Sequence, residues 1–123
     1  LMRLKTVYPG LPSHPSHDIF KDMMNAEYGY GGMLTLDAGS LEKANELMEL
    51  MQHRNLGYLA VSLGFYKTLF SAPGSSTSSE IPENEQKEMG LSDGLIRFSI
   101  GLDADIERTL MTMTECMKEV GII

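Results

Sequence analysis

From Leu95 to Ile100 apolar and other residues alternate one by one: Ile96, Phe98 and Ile100 fall on one side, Leu95, Arg97 and Ser99 on the other. A period of two predicts a strand with one buried face. Met33–Asp37 alternates in the same way. Elsewhere the spacing lengthens to three and four. Leu41, Ala44, Leu47, Met48 and Met51 follow Ser40 and predict a helix that Ser40 caps. Ile106, Leu110, Met113, Met117 and Val120 form a second stripe, with Asp103 as its cap and Gly121 as its stop. Near the start, Ser13 or Ser16 as a cap and Pro15 in the first turn predict a helix that turns Ile19, Phe20, Met23 and Met24 inward. The glycines and tyrosines between Asn25 and Gly32 end it. The apolar run from Tyr58 to Leu63 predicts a short buried strand, and Thr68–Phe70 another. Ser71–Ser79 reads as a loop or an edge segment. Pro82–Met89 reads as a short acidic surface helix that Gly90 stops.

Helices and strands mix without repeated long crossovers. That pattern predicts an α+β fold with a largely antiparallel sheet, and 123 residues suit one domain spanning 1–123. Ten Lys and Arg stand against 17 Asp and Glu, for a net charge of −7. No basic stripe is available to neutralise phosphates, so neither nucleic acid nor an anionic membrane surface is expected as a partner. No apolar run approaches the roughly 18 residues that span a bilayer. The opening Leu1-Met2-Arg3 has no apolar leader behind it, and Leu1 is not an initiator, which predicts a cut from something longer. A single cysteine, Cys116, forms no internal disulfide, and an intracellular, cytoplasmic protein fits best. Cys116 falls in a helical stretch without a nearby histidine and is read as structural.

The candidate chemistry is sparse. Arg97 leaves the polar side of its strand in the middle of a mostly uncharged run. A guanidinium in such a place pairs with a protein carboxylate, faces solvent, or forks onto a ligand carboxylate, and pattern alone leaves these readings open. Ser62, followed by Leu63 and Gly64, ends the Tyr58–Leu63 run. It either closes a strand end by a hydrogen bond or donates to an anion. His14 and His17 have a helical metal-ligand spacing but lack a third ligand, so no metal is expected. No nucleophile-with-base arrangement and no phosphate-cradling glycine loop appears.

Four segments together resemble one known family. Val7-Tyr8-Pro9-Gly10-Leu11-Pro12-Ser13-His14-Pro15-Ser16-His17 is similar to a "YPGL-x-x-HP-x-H" stretch, and Gly31-Gly32-Met33-Leu34 to a "GGM-(L/I)" strand. Ala60-Val61-Ser62-Leu63-Gly64 is similar to "AVSLG". Gly90 to Gly101 resembles "GI-(S/T)-DGL-(V/I)-R-(L/M/F)-S-(V/I)-G". This is the Cys/Met-metabolism (trans-sulfuration) family of pyridoxal 5′-phosphate (PLP) enzymes, which includes methionine γ-lyases, cystathionine γ-lyases, cystathionine γ-synthases and O-acylhomoserine sulfhydrylases. The resemblance implies the small C-terminal domain of a fold-type I, aspartate-aminotransferase-like enzyme, with a mostly antiparallel sheet and helices on one face.

The same resemblance implies that Arg97, with Ser62 and Leu63 beside it, binds the carboxylate of an amino-acid substrate such as methionine, cystathionine or an O-acylhomoserine. The family's cofactor lysine sits in an "S-x-T-K" stretch, and none of Lys5, Lys21, Lys43, Lys67, Lys87 and Lys118 has that context. PLP is therefore expected in the full-length enzyme but not on this chain, which should be inert alone and carries no catalytic residue. Where many members read "HPASMTHA", this chain reads Ala72-Pro73-Gly74-Ser75-Ser76-Thr77-Ser78-Ser79-Glu80, with Ser78 in place of the histidine. That form looks like methionine γ-lyase-like sequences and favours γ-elimination. The alternatives are a γ-replacing synthase or sulfhydrylase, and a binding or oligomerisation module without chemistry. Family members assemble as homotetramers, and apolar surface left exposed on this chain would favour its self-association.

Overall fold

The computed structural model describes residues 5–76 and 78–123; Leu1-Met2-Arg3-Leu4 and Thr77 lie outside the described residues. Five strands form one sheet in the order β1-β2-β5-β4-β3: β1 (Lys5–Val7), β2 (Met33–Asp37), β3 (Tyr58–Leu59), β4 (Leu69–Ser71) and β5 (Leu95–Ser99). The β1–β2, β2–β5 and β4–β5 pairs are antiparallel, and β3–β4 is parallel. Four α-helices are interleaved: α1 (His17–Met23), α2 (Leu41–His53), α3 (Glu83–Glu88) and α4 (Ile106–Glu119). The α+β class and the mostly antiparallel sheet are as the pattern predicts, while β1 was not foreseen.

The period-two pattern fixes what each face of β5 does. Leu36 pairs with Ile96, and Phe98 pairs with Leu34 on one side and Phe70 on the other, so one row of apolar side chains crosses the sheet. Against that face pack Ala44, Leu47, Met48 and Met51 of α2 and Cys116 and Met117 of α4, all buried. The Phe70 and Phe98 rings meet tilted, with centroids 5.9 Å apart. Each such side chain removed from water contributes roughly 1.5–3 kcal/mol. Ser40 caps α2 as expected, its Oγ accepting from the Lys43 amide at 3.2 Å. Asn55, at φ 60°, reverses the chain after α2, and Leu56 N donates to Met51 O across that turn.

The opposite face carries the row Val7, Thr35, Arg97, Ser71, each in register with the next. Leading into β5, the Ser92-Asp93-Gly94 turn is locked to β2. Ser92 Oγ donates to Asp37 Oδ2 at 2.7 Å, and a Cβ on Gly94 would lie 2.6 Å from the amides of Gly39 and Ser40. Only glycine allows that approach.

Several expected details are corrected. Helix α1 buries nothing: Ile19 and Met23 are 64% and 80% exposed, because no sheet or helix face stands opposite them among the described residues. Its N-cap is Ser16, without a side-chain cap bond, so Pro15 precedes the first turn and Ser13 lies further back. The cap of α4 is Asp105, not Asp103. Asp103 Oδ1 accepts from the Asp105 amide at 2.9 Å and forms a turn that delays the helix. Along α4, Ile106 and Leu110 stay about half exposed while Cys116 is fully buried, so only the C-terminal half of the predicted stripe reaches the core. Ser71 belongs to an interior strand and is buried, not part of a loop or edge.

Candidate functional site

Arg97 sits at the centre of β5, where Ile96 and Phe98 anchor the strand to the core and so aim the guanidinium at the other face. Its Nη2 donates to the backbone carbonyl of Val61 at 3.1 Å. Val61 immediately precedes Ser62 and Leu63 in the chain, so Arg97 bonds to the residue next to them, and among the described residues neither Ser62 nor Leu63 itself hydrogen-bonds to Arg97. Among the described residues no carboxylate lies within ion-pairing distance of Arg97, although Arg54 is paired with Glu115 and Glu119.

The Tyr58–Leu63 run is not a buried strand. Only Tyr58 and Leu59 pair, at the open edge of the sheet, and Val61 and Leu63 are 54% and 53% exposed. Beyond Ala60, whose amide donates to Phe70 O, the chain swings over the end of β4 and β5. Three polar contacts hold it there. Gly64 N donates to Ser99 Oγ at 3.1 Å, Leu102 N to Tyr66 O at 2.8 Å, and Gly101 N to Thr68 Oγ1 at 3.0 Å. Before the loop, the Leu59 amide of β3 donates to Gln52 Oε1 at 2.8 Å. The loop lies so close to Gly101 that a Cβ there would sit 2.4 Å from the carbonyl carbon of Lys67. Phe65 packs between Tyr58 and Tyr66, with ring centroids 6.5 and 4.5 Å away. A cation is thus held beside an exposed rim of Val61, Leu63, Phe65 and Tyr66, a setting for a ligand with one anionic end and an apolar remainder.

The hydroxyls of Ser99 and Thr68 and the bare backbone of Gly101 were not singled out from sequence. Of these, Gly101 could have been, because a glycine directly after a strand often marks close backbone approach. The two histidines spaced for a metal are used otherwise. His14 Nδ1 accepts from Ser16 N, and His17 lies 2.8 Å from Pro9 O through Nδ1 and stacks on Tyr30 at 4.8 Å.

The profile of the Cys/Met metabolism PLP-dependent enzymes matches residues 4–113. The chain belongs to this family. A methionine gamma-lyase of Arabidopsis thaliana is 48% identical over 106 residues, covering 85% of this chain and 24% of that protein. A cystathionine gamma-lyase of Dictyostelium discoideum is 37% identical over 114 residues, 92% of this chain and 28% of that one. The crystal structure of a cystathionine gamma synthase from Xanthomonas oryzae pv. oryzae in complex with cystathionine superposes with a TM-score of 0.82, covering 98% of this chain and 30% of that chain. At 24% identity that likeness speaks for the fold alone. The chain spans about a quarter of the length of the curated relatives it matches.

The residues described in this chain do not by themselves fit PLP. Such a site needs a neutral amine for the aldehyde and donors for a phosphate. Lys67, the lysine nearest the site in sequence, is fully exposed. Its Nζ donates to Tyr58 Oη at 3.3 Å and lies 5.2 Å above that ring. The bond to Tyr58 pushes its pKa above the ordinary 10.5, which keeps it an ammonium. A cavity of about 460 Å³ beside Glu46, Glu49 and Glu119 and one of about 440 Å³ beside Glu80, Glu83 and Asp93 are acidic and would repel a phosphate. A third, of about 220 Å³ between α4 and the sheet, is almost wholly apolar.

Proposed function

We propose that this chain supplies the substrate-carboxylate clamp of a PLP-dependent sulfur-amino-acid enzyme of the methionine γ-lyase kind, acting by γ-elimination. One observation carries the reading: in a chain of net charge −7, Arg97 has no carboxylate partner among the described residues and spends its bond on a neutral carbonyl. In this reading Arg97 forks onto the α-carboxylate of the amino acid, Ser62 adds a hydroxyl donor, and Leu63 walls the side chain. The 48% identity to a methionine gamma-lyase favours that substrate over cystathionine or an O-acylhomoserine. The γ-replacing alternative is separated by assaying the full-length protein with L-methionine against an O-acylhomoserine plus sulfide.

PLP would be held by other parts of the full-length enzyme, and the chain alone would be inert. Titrating PLP into it should give no saturable spectral change. Among the described residues no helix is long and apolar enough to cross a membrane. A cytoplasmic setting suits a chain whose one cysteine is buried and free. The exposed rim from Val61 to Tyr66 suits burial within a homotetramer. In the full-length enzyme Arg97→Ala should raise KM for L-methionine about 100-fold, the loss of two charge-assisted bonds at roughly 1.5 kcal/mol each. An unchanged KM removes Arg97 from the clamp.

A further inference from the structure

Ser71 carries a hydroxyl that the rest of the fold leaves unused. Its residue is 4% exposed, and its Oγ is buried without a hydrogen-bond partner. Buried hydroxyls normally find one, because leaving one unmade costs more than a typical bond returns. Ser71 is also the register partner of Arg97 on β4, on the same face of the sheet. Directly opposed residues have Cβ atoms only about 4.5–5.5 Å apart.

The strand order adds direction. A guanidinium that starts on β5 and bonds to Val61, just past β3, has to cross the strand between them. The residue of that strand level with Arg97 is Ser71. Thr35, the neighbour on β2, lies on the side away from Val61. A guanidinium has five N–H donors; a forked carboxylate takes two and the Val61 carbonyl one.

We propose that Ser71 is the positioning residue of the clamp: when a substrate carboxylate is gripped, its Oγ accepts one of the remaining N–H groups of Arg97 and sets the plane of the fork. The inference rests on the clamp reading above. It also accounts for a small polar side chain at a buried strand position, where a larger one would block the arginine's path.

The test uses Ser71→Ala in the PLP-loaded full-length enzyme, with Thr35→Ala as the control and Arg97→Ala as the reference. Ser71→Ala should raise KM for L-methionine about tenfold, the value of one hydrogen bond to a charged group, and leave kcat unchanged. In the Arg97→Ala background it should add nothing, since coupled residues do not sum. Its urea midpoint should equal or exceed that of the parent, because a hydroxyl unpaired in the free protein has been removed. Thr35→Ala should leave KM unchanged. If Arg97→Ala raises KM and Ser71→Ala does not, the inference about Ser71 is wrong and the clamp stands. A loss of stability and kcat together in Ser71→Ala assigns it a merely structural role and also overturns the inference. If neither variant moves KM, the clamp itself fails.

Discussion

Adding one methyl group at Gly101 should unseat the loop that carries Ser62 and Leu63. A Cβ at this position would lie 2.4 Å from the carbonyl carbon of Lys67, 2.5 Å from Tyr66 O and 2.6 Å from Lys67 Cα. All three are backbone atoms, so no side-chain rotation relieves the overlap. Restoring a contact near 3.5 Å moves the loop by about 1 Å. A shift of that size breaks the 2.8 Å bond from Leu102 N to Tyr66 O and the 3.0 Å bond from Gly101 N to Thr68 Oγ1. Two hydrogen bonds at about 1 kcal/mol each, with the lower end of the overpacking range, give a loss of about 3 kcal/mol for Gly101→Ala.

Urea unfolding of the chain measures this directly, as a fall in midpoint of about 1–2 M for a slope of about 2 kcal/mol/M. Native-state amide exchange then locates the damage. The amides of Leu102 and Gly64, which donate into and out of the loop, should lose protection, while those of α2 should change only by the global shift. Leu102→Ala is the matched control: its side chain is 88% exposed, and the change should stay within about 0.5 kcal/mol. If Gly101→Ala matches the parent in midpoint and in exchange at Leu102, the loop is not pinned there, and the placement of Ser62 and Leu63 needs another cause.

Two further outcomes follow from packing and charge. Burial pushes the Cys116 thiol above its ordinary 9.0, so the folded state holds the proton that the unfolded state releases. That contribution is complete below pH 9.0 and declines as the pH rises from there toward the folded-state value. Cys116→Ala should therefore flatten the alkaline loss of stability relative to the parent, and thiol labelling of the native chain should proceed no faster than unfolding. Arg54, 31% exposed, pairs with Glu119 and lies 3.7 Å from Glu115, tying the end of α2 to α4. Arg54→Ala should cost up to about 1 kcal/mol in dilute buffer and nearly nothing at 1 M salt, read from urea midpoints at the two ionic strengths.

The fold was most legible where one face of an element is buried. The alternation around Ile96 and Phe98 placed β5 and aimed Arg97 correctly, and the stripe of Ala44, Leu47, Met48 and Met51 placed α2. It was least legible where apolar residues are not buried. Tyr58–Leu63 reads as a core strand, yet sheet pairing ends at Leu59 and the remaining apolar side chains form an exposed rim. Composition cannot distinguish a side chain that faces the core from one that faces solvent or a neighbouring surface. Ile19 and Met23 mislead for the same reason. Ser71 misleads in the opposite sense. It opens a serine-rich run that suggests solvent, but β4 extends one residue further than expected and takes it into the sheet. β1 carries no signal at all: its three described residues are exposed and pair with β2.

The position of Arg97 and its lack of a partner have a common origin. A strand whose alternate residues are Ile96 and Phe98 cannot slip by one without exposing both, so the core fixes which face the guanidinium takes. On that face its register neighbours are Thr35 and Ser71, neither of them charged. The one carboxylate of β2, Asp37, stands opposite Leu95 on the same face, but its oxygens accept from Ser92 Oγ and the Gly39 amide. The core thus aims the cation at a sheet face where no carboxylate among the described residues pairs with it, while the anchoring of the loop between β3 and β4 brings a carbonyl within 3.1 Å of it. A single neutral acceptor leaves most of a guanidinium's donor capacity open. The same core packing that stabilises β5 therefore prepares the proposed carboxylate site, so core substitutions that tilt Phe98 should weaken substrate binding before they unfold the chain.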